Sequence, residues 1–259
     1  MENSARDPDV AARAHAELRA SEPFRTELRR LHSLTQGFVL TLRLAWLTAT
    51  RDPAFANSLL WRFTDDLLAS AVGIERLVSE GTDTTARREL RFMFELAIRH
   101  LYVDTCAMTP DTPLETRLAF VEHRLGNRDV QLVSDLPLVL VADKDAFRGT
   151  VRRLYGELSR FTHPSAGQLG GRLERAVRGA YVGFEAAADV KDFNDLLGRT
   201  YDVLVVLVCE GLGDRAAGDL ILAFDDVDDV DDWPFHRTLF VEQVSRGFDY
   251  KAERQRPLP

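Results

Sequence analysis

Lysine is nearly absent from this chain. It occurs only at positions 144, 191 and 251, so arginine supplies 30 of the 33 basic residues. We interpret this imbalance as the codon bias of a GC-rich bacterial genome, although arginine also suits two-point contacts to phosphate or carboxylate. The 41 acidic residues outnumber the basic ones and give a net charge of −8. This charge argues against a general nucleic-acid coat but leaves room for a local basic patch.

Cysteines and long apolar runs are also scarce. Cys106 and Cys209 lie inside apolar helical patterns, so we expect two buried thiols in a reducing cytoplasm rather than a disulfide. The longest apolar run, residues 203–209, is far shorter than the ~20 residues that span a bilayer. The polar N-terminal stretch does not resemble a signal peptide. We therefore expect a cytoplasmic protein that has no membrane contact.

Strand signals are scarce as well, because no alternating run is bounded by an Asn-Gly or Asp-Gly turn. Apolar residues recur instead at intervals of three and four, as in Leu31, Leu34, Phe38 and Leu42. The sequence therefore predicts an all-α fold, a mostly antiparallel bundle of about seven to ten helices. The predicted helices cover approximately residues 7–20, 22–50, 52–79, 84–107, 113–125, 143–163, 172–188, 191–211, 214–223 and 234–247.

One stretch looks more like a functional site than any other. Tyr155, Ser159 and His163 follow one another at intervals of four residues, and Pro164 then ends the helix. Residues four apart lie on one face of an α-helix, so the three polar groups form a stripe beside an apolar side that must be buried. Arg152 projects on the same side as the stripe.

The stripe has a chemical and a structural interpretation. A histidine that titrates near neutrality can act as acid or base, and an arginine can hold a phosphate. A serine four residues from a histidine, with no acidic group to orient that histidine, is weak evidence for a nucleophile. In the structural interpretation, Ser159 bonds back to a helical carbonyl, Tyr155 packs at an interface and His163 caps the helix C-terminus.

A second helix carries a ladder of charges on one face, from Arg88 through Arg91 and Glu95 to Arg99, at intervals of three or four residues. If this face is exposed, the ladder is solvated and each ion pair contributes only ~0.2–0.5 kcal/mol. If the face turns towards the stripe, Glu95 can orient His163 or pair with Arg152. The candidate polar centre therefore comprises Arg91, Glu95, Arg152, Tyr155, Ser159 and His163.

These residues form the pattern Arg-x-x-x-Glu in one helix and Tyr-x-x-Leu-Ser-x-x-x-His-Pro in a later one. The pattern resembles that of an uncharacterised bacterial helical family, which is similar to the broader HEPN-like class. The resemblance covers about residues 85–170 and implies an HEPN-like core. Many HEPN proteins are ribonucleases, or partners in toxin–antitoxin and phage-defence systems.

The chain departs from the HEPN nucleases at one point. Those enzymes carry an arginine and the histidine on one helix with four to six residues between them, whereas no residue at that spacing before His163 is an arginine. We therefore expect mainly a protein-interaction component, of a bacterial defence or stress system. The alternative is a metal-independent ribonuclease or other RNA-acting enzyme, in which His163 is the acid/base and Arg152 or Arg160 contacts phosphate.

An acidic run at residues 225–232 carries six aspartates in eight positions. It lacks the glycine and glutamate of a calcium-binding loop, so we expect a solvated segment that can also dock a basic partner. The run separates a helical bundle domain, residues 1–224, from an extension, residues 225–259, that we expect to pack on the same domain.

The remaining sequence signals point to partners rather than to cofactors. The histidines lack the paired helical spacing of a zinc site, and the glycine-rich residues 167–171 lack the lysine of a phosphate-binding loop. We therefore expect no metal and no cofactor. Several helices carry apolar residues on more than one face, which favours a protein partner or a homodimer, with RNA as the alternative partner.

Overall fold

The computed structural model describes residues 8–126, 129–161, 185–225 and 233–248, together with residues 169, 170, 173, 177 and 183. These residues contain ten α-helices and no strand, which confirms the all-α, multi-helix prediction. The helices are α1 Pro8–Ala20, α2 Glu22–Ala49, α3 Leu59–Arg62, α4 Thr64–Ser79, α5 Asp83–Tyr102, α6 Leu114–His123, α7 Asp129–Asp135, α8 Lys144–Ser159, α9 Ala187–Asp225 and α10 Val241–Gly247. A 3-10 turn at Pro53–Phe55 precedes α3, and a π turn at Val103–Ala107 continues α5.

The long helix α9 runs through the middle of the bundle. Its residues 203–209 are buried around the whole circumference, as expected for a helix that has neighbours on every side. Tyr201 of α9 stacks on Phe38 of α2 with ring centroids 4.2 Å apart. On another side of α9, Arg87 of α5 lies over the Phe193 ring at 5.3 Å. The apolar sequence of α9 therefore reflects its central position.

The helices do not all run antiparallel to their neighbours. His32 of α2 contacts Glu75 of α4 at 2.9 Å, while Arg43 and Leu68 line one cavity further along, so these two helices are antiparallel. By contrast, α9 runs parallel to α2, since its contacts advance in the same direction along both helices, from the Glu27–Asn194 to the Phe38–Tyr201 pair. The long connection between α8 and α9 does not force an antiparallel pair, as a short one does.

The predicted continuous helix over residues 52–79 is wrong, because the chain breaks twice in this region. The Asp52 side chain accepts from the Ala54 amide and starts the 3-10 turn. The helix then restarts at α3, where Asp104 accepts from the first two amides, those of Leu59 and Leu60, each at 3.0 Å. The local N-cap, Ser58, accepts from the Trp61 amide at 3.4 Å, and the carboxylate of Asp104 binds the two amides that Ser58 leaves open.

Two predicted helix ends coincide with glycines that adopt positive φ. Gly81, at φ 72°, follows the end of α4, and the Gly81 amide donates to the Val78 carbonyl. Gly213, at φ 75° and ψ 171°, interrupts α9 between the two predicted segments 191–211 and 214–223. Both positions are typical of glycine, because a Cβ destabilises this backbone conformation.

Residues 233–248 pack against the bundle. The Trp233 ring stacks on Phe224 at 4.2 Å, and its Nε1 donates to the Thr41 hydroxyl at 3.0 Å. The predicted helix over 234–247 is too long, since turns occupy residues 234–240 and α10 begins only at Val241. The boundary at residue 225 stays a prediction, and residues 226–232 of the acidic run lie outside the described residues.

The two cysteines have different environments. Cys209 is buried in α9, as predicted, but Cys106 is exposed in the π turn, so the prediction of two buried thiols is wrong for this residue. Both thiols are free. Among the described helices, none combines the length and the apolar character that crossing a membrane would need.

Candidate functional site

The face of α5 that carries the charge ladder turns towards α8. Arg91 Nη2 donates to the Tyr155 hydroxyl at 3.0 Å, and the guanidinium carbon lies 4.8 Å from the centroid of the Tyr155 ring. Arg91 Nε donates to Glu95 Oε1 at 2.7 Å within α5. Three of the six candidate residues therefore meet in one cluster, which we call the α5–α8 cluster: Arg91, Glu95 and Tyr155.

The α5–α8 cluster is partly withdrawn from water. The Arg91 side chain is 14% exposed and that of Glu95 is 23% exposed. Burial by itself lowers the pKa of the Arg91 guanidinium, but the hydrogen bond and charge of Glu95, together with Tyr155, raise it above its usual value. Arg91 is therefore a permanent cation whose charge Glu95 neutralises.

The side chains of Ser159 and Arg152 contact groups other than Arg91 and Glu95. The Ser159 hydroxyl donates to the Tyr155 carbonyl of its own helix at 2.5 Å, which is the back-bonding of the structural interpretation. Arg152 Nη2 donates to Ser134 Oγ of α7 at 2.7 Å instead of pairing with Glu95. The hydroxyl of Ser159 thus donates to a backbone carbonyl of α8. His163 lies outside the described residues.

Two further arginines of α5 hold the end of α8. Arg88 Nε donates to the carbonyl of Phe161 at 2.8 Å. Arg87 lies over the Phe161 ring, with the guanidinium carbon 4.7 Å from the ring centroid, a distance at which a cation–π attraction is effective. Together with Arg91, these residues place three cations of α5 between Tyr155 of α8 and Phe161, two residues beyond its end.

The sequence did not reveal another polar cluster, formed by Asp104 and Arg117. Arg117 Nη1 donates to Asp104 at 2.6 Å, and the Arg117 side chain is only 2% exposed. Arg117 also donates to the carbonyls of Thr109 and Thr112. Because all these bonds fix a loop and the start of α3, the pair is structural. No sequence signal identifies this pair, because the α3 amides that donate to Asp104 lie 44 and 45 residues earlier in the chain.

Two more carboxylates, Asp202 and Glu210, fasten loops to α9. Asp202 accepts from the amides of Phe240 and Val241 at the start of α10. Glu210 accepts from the amides of residues 139–141. Burial raises the pKa of both carboxyls, and these hydrogen bonds oppose the rise. Each carboxylate therefore acts as a structural cap.

The described residues contain no group of three histidine, cysteine, aspartate or glutamate side chains that could hold a metal ion. The chain matches no protein-family profile, no curated protein and no solved structure. Within the described range, the candidate residues form an ion pair between Arg91 and Glu95 and a serine hydroxyl bonded to a backbone carbonyl.

Proposed function

We propose that this chain is a helical protein-interaction component and that the α5–α8 cluster is a structural joint. One observation carries this proposal: the Arg91 guanidinium is occupied by Glu95 and Tyr155 from within the fold. An arginine that stabilises a transition state must direct its donors at the substrate. Arg91 instead directs them at its own protein and holds two helices together.

The surface chemistry supports the same proposal. A net charge of −8 repels nucleic acid, while large apolar side chains are exposed on α2 and α4 at Leu40, Trp46, Leu47 and Val72. Contiguous exposed apolar side chains are typical of protein-binding surfaces. Membership of a bacterial defence or stress system is the part of the proposal that rests on the resemblance to HEPN-like proteins.

The alternative is a metal-independent ribonuclease or other RNA-acting enzyme that uses His163. The arginines of α5 favour it, because Arg87 and Arg88 contact Phe161, which precedes His163 by two positions in the sequence. In this alternative, the cations of α5 add to Arg152 or Arg160 and take the place of the arginine that HEPN nucleases carry at a fixed spacing before the histidine. The scissile phosphate would then be held from a neighbouring helix.

An RNA-cleavage assay separates the two functions. Purified wild-type protein and the His163→Ala variant are incubated with total RNA in EDTA, with His123→Ala as the matched control because His123 is an exposed histidine at the end of α6. We expect no cleavage by any of the three proteins. Cleavage by the wild type and His123→Ala, lost only in His163→Ala with an unchanged thermal melt, would overturn the interaction proposal.

A further inference from the structure

Four of the exposed large apolar side chains lie on the neighbouring helices α2 and α4, and we call the surface that they form the α2–α4 face. Leu40, Trp46 and Leu47 of α2 and Val72 of α4 are each between 43% and 48% exposed. Leu40 and Leu47 are seven residues apart and lie on the same side of α2, two turns from each other. Apolar groups of this size are not stabilised by water, and their grouping on one side of the bundle indicates a binding surface.

The two helices contribute to one continuous surface. The side chains of Arg43, Trp46 and Leu47 on α2 line a cavity of about 350 Å³ together with Asp65 and Leu68 on α4. Val72 follows Leu68 by one helical turn and extends the apolar strip along α4. The α2–α4 face therefore contains a groove between the two helices, with an apolar lining at Trp46, Leu47 and Leu68 and a polar lining at Arg43, Thr64 and Asp65.

The charges of this groove complement each other. Arg43 lies on the α2 wall and Asp65 on the α4 wall. Within the described part of the chain, neither side chain makes an ion pair or a hydrogen bond. A face that carries one unpaired cation and one unpaired anion on opposite walls is complementary to a rotated copy of itself.

We propose that a second copy of this chain binds the α2–α4 face, so that Arg43 of each copy pairs with Asp65 of the partner subunit across a two-fold axis. This inference rests on the proposed interaction function and names the chain itself as the partner. A lipid surface fits the face less well, because an interfacial helix pairs its apolar side with basic residues, whereas Asp65 places a carboxylate inside the groove.

The dimensions of the face agree with a dimer. The 16 residues of α4 extend for ~24 Å, and two packed helices are roughly 20 Å wide. The projected area of the two helices is therefore roughly 500 Å² per copy. This value leaves out the extra surface that protruding side chains add. Standard stable interfaces bury ~800 Å² per partner, so a face of this size suits a weak dimer that forms at high concentration.

Sedimentation analysis of the full chain tests the surface. We expect the wild type to sediment as a dimer at high micromolar concentration and Leu47→Glu to sediment as a monomer. The matched control is Leu118→Glu, which places the same charge on an exposed leucine of α6 and should leave the dimer intact. A monomeric wild type, or an intact dimer in Leu47→Glu, would overturn the inference. Circular dichroism melts of all three proteins confirm that each is folded.

Charge reversal tests the pairing itself. Arg43→Glu and Asp65→Arg should each weaken self-association by roughly tenfold or more, because each places like charges opposite one another. The double variant restores opposite charges across the axis and should recover the wild-type dissociation constant. Failure of the double variant to recover would overturn the two-fold pairing. The RNA-cleavage assay reads the proposed function independently, so a failed dimer with no cleavage leaves that function standing with another protein as partner.

Discussion

Arg91 is held at the contact of α5 and α8 by two partners of different kinds. Its Nε donates to a carboxylate of its own helix, and its Nη2 and flat face contact Tyr155 of the neighbouring helix. With the Arg91 side chain 14% exposed, little water can replace Glu95 if that partner is lost. The pair therefore contributes more to stability than an ion pair on a solvated ladder.

We expect Arg91→Ala to lower the free energy of unfolding by ~1–3 kcal/mol, since Glu95 would keep a partly buried carboxylate without its donor. Urea denaturation followed by circular dichroism measures the change. The control is Arg29→Ala, which removes an ion pair to Glu22 whose side chains are 64% and 70% exposed. The control should leave the urea midpoint unchanged, and equal effects of the two substitutions would contradict the structural joint.

His100 is a buried histidine at the end of α5. Its ring lies 4.7 Å from the ring of Phe63, and its Nδ1 has no hydrogen-bond partner within the described part of the chain. Burial, followed by the positive charge of Arg99, lowers the pKa of His100 to about 4. The folded protein therefore keeps this imidazole neutral when an unfolded chain would protonate it.

This lowered pKa predicts a loss of stability in mild acid. The pKa of histidine in the unfolded chain is ~6.5, so the unfolded state binds the proton first, and stability falls as the pH drops from about 6.5 towards the folded pKa. Between about pH 7 and about pH 4.5, we expect the wild type to lose about 2–3 kcal/mol of unfolding free energy through His100. The His100→Leu variant should not show this loss. Urea titrations of the wild type and the variant at both pH values measure it. Identical pH dependence would mean that His100 is protonated in the fold.

At the scale of helices, local sequence predicted much of the fold. Apolar periodicity located α2 and α5, and Gly213 separated the two segments of α9. The break that creates α3 was missed because its first two amides donate to Asp104, which lies about 45 residues further along the chain. The candidate site has the same limit. Spacing placed Arg91 and Glu95 on one face of α5, but only packing decides that this face meets Tyr155.

Replacement of a glycine by alanine should have opposite effects on stability in α9 and in α8. Gly213→Ala should destabilise the protein by ~1–3 kcal/mol, because its φ of 75° and ψ of 171° belong to a region that is essentially reserved for glycine. Gly156→Ala, inside α8, should stabilise it by ~0.5–1 kcal/mol through higher helix propensity. A Cβ meets no atom within 4 Å at either position, so steric crowding does not confuse the comparison. Thermal melts that show the same sign for both variants would contradict the kink in α9.

At the scale of the whole molecule, the C-terminal segment completes the core around α9. Trp233, Phe235 and Phe240 are each no more than 5% exposed and belong to the same apolar cluster as α2, α5 and α8. Trp233 joins distant parts of the chain, since its ring stacks on Phe224 and its Nε1 donates to Thr41, 192 residues away in sequence. Contacts of such separation link residues 233–248 to the folding of the entire bundle rather than to a separate unit.

Trp233→Ala tests this cooperativity. The variant loses a buried aromatic side chain and should unfold with ~3–5 kcal/mol less free energy. If the chain is one cooperative unit, helix content and the fluorescence of the remaining tryptophans shift to the same lower urea midpoint. The control is Leu239→Ala in the same segment, where the side chain is 63% exposed and the expected change is ~0.5 kcal/mol or less. A helix-content midpoint that stays at the wild-type value in Trp233→Ala would show that residues 233–248 unfold independently of the bundle.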